Sequence, residues 1–136
     1  MLVVCIAEPV PETRELLARL VARRGDRATL WLPHDGLGPE TTPDIDVLLF
    51  EPLSAVGRQA LDHVRDAHGD AMRVAITVVD QALPEDHGGH HLLVQPFAPD
   101  ELSRLLDGAG RQARHLAQLL RAALPATPPT EKAPTP

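Results

Sequence analysis

One acidic side chain stands where an α/β protein would do chemistry. In Asp46-Val47-Leu48-Leu49-Phe50-Glu51-Pro52, four apolar residues run unbroken between two acids. An apolar run this short, closed by a turn signal, predicts a strand buried on both faces of a parallel sheet. Open parallel sheets place their chemistry just beyond the carboxyl ends of such strands, and Glu51 falls there. A second chemically able group is Glu85-Asp86-His87-Gly88-Gly89-His90-His91. Imidazole and carboxylate suit zinc or nickel. The spacing of His87, His90 and His91 matches no metal motif, however, so a solvated polar loop is expected, with no metal and no cofactor. His34, His63, His68 and His115 are scattered and carry no pattern. There is no Ser-His-Asp or Cys-His arrangement, no phosphate-binding Gly-rich loop and no nucleophile elbow. An enzyme is therefore not expected.

The elements that must hold Glu51 follow from the hydrophobic pattern. Residues 2–7 are apolar and short, which predicts a first buried strand rather than a leader, because Met1-Leu2-Val3-Val4 has no basic segment. A helix opens near Glu12, with Leu16, Leu17, Leu20 and Val21 as its apolar face and Arg23-Arg24-Gly25 as its end. Strands are expected at 28–32, 44–51, 72–79 and 92–95. Three Pro and two Gly make 33–43 a loop. Ser54 can cap a helix to about His68 that turns Val56, Ala60, Leu61 and Val64 inward. The segment 80–91 has room for one helical turn near Gln81. Asp100 and Glu101 favour the start of a last helix. Its series Leu102, Leu106, Ala109, Ala113, Leu116, Leu120, Ala123 steps by fours and threes, with Gly108 and Gly110 as possible breaks. Five short strands alternating with helices or loops predict a doubly wound α/β fold. The expected divisions are a domain at 1–110, a helical extension at 111–124 and a disordered Pro/Thr-rich tail at 125–136.

Composition bounds the partners. The 136 residues suit one domain, and the net charge of −6 argues against nucleic acid and against an anionic membrane surface. The 13 Lys and Arg are mostly Arg and are spread along the helices rather than clustered in the sequence. Only Trp31, Phe50 and Phe97 are aromatic, too few for base stacking. Cys5 is the one cysteine, an expected core thiol in a reducing cytoplasm.

Several stretches, in the right order, resemble the receiver domain of bacterial response regulators over about residues 2–110. They are Glu8-Pro9-Val10-Pro11-Glu12-Thr13-Arg14-Glu15-Leu16-Leu17, then Asp44-Ile45-Asp46-Val47-Leu48-Leu49-Phe50-Glu51, then Val74-Ala75-Ile76-Thr77. The most specific is Leu93-Val94-Gln95-Pro96-Phe97 with Pro99-Asp100-Glu101-Leu102. The resemblance implies a flavodoxin-like sheet of strand order 2-1-3-4-5. It also implies a phosphorylation site of two acids for Mg²⁺, an Asp nucleophile, a Thr or Ser and a Lys. Glu8 matches the first acid and Pro9 the second, which thereby loses its oxygen ligand. Glu51 matches the nucleophile, one methylene too long for a geometry tuned to Asp. Thr77 is retained. Gln95 replaces the Lys and brings no charge to a phosphoryl group. Leu92 stands at the aromatic switch position.

The resemblance therefore implies a pseudo-receiver, its second and fourth helices shortened or replaced by loops. It would regulate by protein–protein contact in bacterial signal transduction or transcription regulation. Glu51 is read either as a standing phosphomimic that reaches toward Thr77 or as a solvated acid. Leu116, Leu119, Leu120 and Leu124 run past the expected domain end and need cover, which points to a partner helix or a homodimer. The alternatives are a small-ligand or metal sensor on the same fold and an atypical phosphoacceptor.

Overall fold

The computed structural model describes residues 1–31 and 44–123. The expected loop at 33–43, the side chain of Leu124 and the tail at 125–136 lie outside these residues. Five strands form one parallel sheet: β1 (Val3–Ala7), β2 (Arg27–Leu30), β3 (Val47–Phe50), β4 (Met72–Val78) and β5 (His91–Gln95). Their order is β2-β1-β3-β4-β5, as expected for a doubly wound, flavodoxin-like sheet. The helices are α1 (Pro11–Arg23), α2 (Ala55–Ala67) and α3 (Pro99–Ala123).

The apolar run in β3 has a direct cause. All four of its residues are buried: Val47 and Leu49 join the cluster under α1 and α3, while Leu48 and Phe50 join the cluster under α2. β1 divides the same way, Val4 and Ile6 against Cys5 and Ala7. Each central strand must therefore be apolar at every position, which erases alternation from the sequence. Burial pushes the Cys5 thiol up to about 12, so it is inert as well as unpaired.

The helices depart from the sequence expectation in small, explicable ways. On α1, Leu17 and Val21 are buried and Leu20 packs beside them, but Leu16 lies on the flank and is exposed. On α2, Ser54 caps as expected, its Oγ accepting from the Gly57 N–H at 3.0 Å. α3 runs through Gly108 and Gly110 without a break. Arg24 fixes its first half: the guanidinium meets Asp107 at 2.9 Å and donates to Ser103 Oγ at 2.7 Å. Leu102, Leu106 and Ala109 are buried there, whereas every residue of 111–123 is exposed.

No helical turn forms at Gln81. Asp80 takes a left-handed conformation with φ 69°, which turns the chain and directs Gln81 back onto β4. The whole segment 79–90 is free of helix, so one expected helix is indeed missing between β4 and β5. Leu92 and Val94, on the α2 face of edge strand β5, are consequently 48% and 38% exposed.

Leu106→Ala should cost about 2–5 kcal/mol, because a fully buried side chain leaves a cavity. Leu119→Ala, at an exposed position, should stay within about 0.5 kcal/mol in dilute solution. Urea unfolding at low protein concentration reads both, and equal losses would contradict the packing of α3.

Candidate functional site

Glu8 follows β1, Glu51 follows β3, Thr77 is the penultimate residue of β4 and Gln95 ends β5. Parallel pairing, with Ala7 opposite Phe50 and Thr77 opposite Val94, brings these positions to the carboxyl end of the sheet. The positions singled out in the sequence therefore lie at one end of the sheet. Their bonding then shows what they can do.

Glu8 is buried, 2% exposed, and its Oε2 accepts from the Val10 N–H at 3.0 Å. Burial pushes its carboxyl above the ordinary value. The Val10 N–H and the charge of Arg14 oppose this, and the charge of Glu51 adds to it. Arg14 also donates to the Glu8 carbonyl at 3.3 Å. Pro9 is exposed and has no oxygen on its side chain.

Glu51 turns back on its own loop. Its Oε1 accepts from the Leu53 N–H at 3.2 Å, and its carbonyl accepts from Ser54 Oγ at 2.9 Å. Gly57 is required beneath this turn, since a Cβ there would collide with the Glu51 carbonyl oxygen. Thr77 is buried, and its hydroxyl donates to Gln81 Oε1 at 3.0 Å. The phosphomimic picture of Glu51 reaching for Thr77 is therefore not the arrangement found: each binds elsewhere. The Gln95 carbonyl accepts from the Val79 N–H at 2.9 Å, and Gln95-Pro96 is cis. Leu92, at the switch position, is exposed on β5.

A magnesium ion of the kind the receiver family uses does not fit these residues. One Glu8 oxygen is engaged by backbone, Pro9 offers none, and Mg²⁺ demands near-octahedral oxygen geometry. Among the described residues no three His, Cys, Asp or Glu side chains converge as metal ligands. His87, His90 and His91 do not converge either: His87 Nδ1 accepts from the Gly89 N–H, and His90 packs on Arg73.

Sequence reasoning missed Gln81, Arg14 and Gly57. Only Gly57 had a signal, its position three residues after the Ser54 cap. It also treated His63 and His68 as scattered, yet they line up with Trp31, ring centroids 5.2 Å apart in a tilted pair and 5.6 Å apart edge to face.

The topology and the site positions define the response-regulator receiver fold. Three solved structures make the comparison concrete. NtrX from Brucella abortus, in complex with ADP, has a TM-score of 0.69 at 16% identity over 87% of this chain and 29% of that one. A CheY-like receiver domain protein from Methanospirillum hungatei gives 0.66 at 14% identity, covering 85% and 98% of the two chains. The response regulator TrrA from Thermotoga maritima gives 0.64 at 17%, covering 80% and 99%. The chain thus spans less than a third of NtrX. No family model and no curated protein matches the sequence.

Glu8→Gln tests the electrostatics. A carboxyl raised in the folded state favours folding while protonated, and that contribution is lost as pH rises through its folded pKa. At pH 7 the variant should melt above the wild type, and the gap should close toward pH 4.5, the ordinary glutamate value. A variant less stable at pH 7 would mean that the Val10 bond outweighs the burial.

Proposed function

We propose that this chain is a phosphorylation-independent pseudo-receiver that acts by protein–protein contact in bacterial signal transduction or transcription regulation. The carrying observation is the bonding at the carboxyl end of the sheet. Thr77 is tied to Gln81, Glu51 to Leu53, and Pro9 and Gln95 supply neither metal ligand nor cation. Phosphoryl chemistry depends on positioning and charge neutralisation, and both are lacking. Receiver domains are in general signalling modules rather than enzymes, and this one is read the same way. No helix among the described residues is long and apolar enough to cross a membrane.

The contact surface is assigned to the second half of α3, and the first partner to a second copy. Residues 111–123 would extend about 20 Å at the helical rise, and all are exposed. Leu116, Leu119 and Leu120, 37%, 53% and 58% exposed, share one stripe. Beside it lies an open groove of about 650 Å³ that also takes in Ala113, Met72 and the carboxylates of Asp44 and Asp70. Arg111, Arg114 and Arg121 are the only Arg, Lys, Asp or Glu residues of 111–123. An antiparallel copy would set leucines on leucines and bring these cations to the acidic lip.

Amide-resolved NMR with Mg²⁺ and then a small-molecule phosphodonor should leave Glu8, Glu51 and Thr77 unmoved. Joint, saturating shifts there would make the chain a working phosphoacceptor instead. Light scattering should give twice 14.7 kDa for the full chain and the monomer mass once Leu116, Leu119 and Leu120 are all replaced by Gln. Monomers in both samples at high micromolar concentration would exclude the second copy as partner.

A further inference from the structure

At the opposite ends of the strands, a set of hydrogen-bond donors meets without a counter-charge. Arg73 opens the α2 face of β4, and His90 lies just before β5, its N–H donating to the Arg73 carbonyl at 2.7 Å. The Arg73 N–H donates to His90 Nδ1 at 3.1 Å. A neutral imidazole has one acceptor nitrogen, yet two Arg73 donors approach this ring: the backbone N–H at Nδ1 and the guanidinium, 3.0 Å from Nε2. One of the two is left without an acceptor. The Arg73 Nε is buried with no hydrogen-bond partner.

The loop before β5 adds more donors. Gly88 has a left-handed φ of 93°, and a Cβ there would meet Leu61 and come within 3.0 Å of an Arg65 guanidinium nitrogen. Arg65 therefore lies over the loop. His87 Nδ1 accepts from the Gly89 N–H at 3.0 Å, so its Nε2 is a donor. Burial, then the like charge of Arg65, pulls Arg73 below its ordinary value. His90 is pulled down by burial, then by Arg73 and His91. The charges that pull these two groups down are cationic. Among the described residues the ion pairs belong to Arg24 and Arg104 alone. Half-buried guanidinium without an anion is costly, and donors without acceptors invite one.

We propose that Arg65, Arg73 and His90, flanked by His87, form a binding site for a phosphate-class oxyanion at the N-terminal ends of β4 and β5. The planar guanidinium of Arg73 swings from its contact with His90 onto two oxygens of the ion, Arg65 closes from α2, and the imidazole N–H groups complete the set. The same cations oppose a Zn²⁺ or Ni²⁺ ion on this loop. The site depends neither on the phosphorylation positions nor on α3.

The test is an amide NMR titration of the full chain at fixed ionic strength, with inorganic phosphate, phosphoserine and acetate in parallel. Either phosphate compound should shift Arg73, Gly88, Gly89 and His90 saturably within about 10 mM, the millimolar range of weak sites. The tighter of the two identifies a free or an esterified phosphate as the source. Arg65→Gln, at an exposed position that leaves the fold intact, should weaken binding about tenfold, as loss of one charge-assisted bond does. Absence of saturation, or the same affinity for acetate, overturns the proposal. So does full affinity in both Arg65→Gln and Arg73→Gln.

Discussion

Two-sided burial of β3 is the constraint on which the remaining architecture depends. A strand whose four side chains are all fully buried must have strands on both edges and helices on both faces. β1 and β4 supply the edges, α1 and α3 one face, α2 the other. Parallel pairing then sets all carboxyl ends at one end of the sheet. That arrangement brings Glu8, Glu51, Thr77 and Gln95 together, whatever chemistry they can perform.

At that end, the site groups are held by local hydrogen bonds. Val10 satisfies Glu8, Leu53 satisfies Glu51, and Gln81 satisfies Thr77. Each partner is within four residues of the group it binds. A site assembled from several strands needs its groups turned toward a shared centre. Here each group is turned toward its own loop, and the charge of Glu51 adds to burial in raising the Glu8 carboxyl.

The missing helix between β4 and β5 has consequences on both sides of the sheet end. It leaves Leu92 and Val94 partly bare on the edge strand. It also lets Gly89 press against Ala75, so close that a Cβ there would come within 3.0 Å of it. That close approach carries His90 onto Arg73 and lets Arg65 fold over Gly88. The same shortening that removes a helical surface creates the cationic cluster. α3, in contrast, continues well past the sheet, anchored by Arg24 and Leu106 and then exposed along 111–123.

Much of the fold was legible in the residues themselves. The uninterrupted runs 2–7 and 47–50 betray strands buried on both faces, because such strands cannot tolerate a polar residue on either side. The Ser54 cap and the spacing of Ala60, Leu61 and Val64 mark α2, because the helical period leaves an apolar stripe. The positions of Glu8, Glu51, Thr77 and Gln95 were legible as strand ends. What each binds was not, since Gln81 meets Thr77 only because Asp80 adopts a left-handed turn that no pattern announces. Arg65 and Arg73 stand apart in the sequence and look like two more dispersed cations. Only tertiary structure, through the register of β4 against β5 and the approach of Gly89 to the sheet, sets Arg73 beside His90 and Arg65 over Gly88. Hydrophobic period is written locally along the chain, whereas the pairing of charges is decided by which surfaces folding brings within reach.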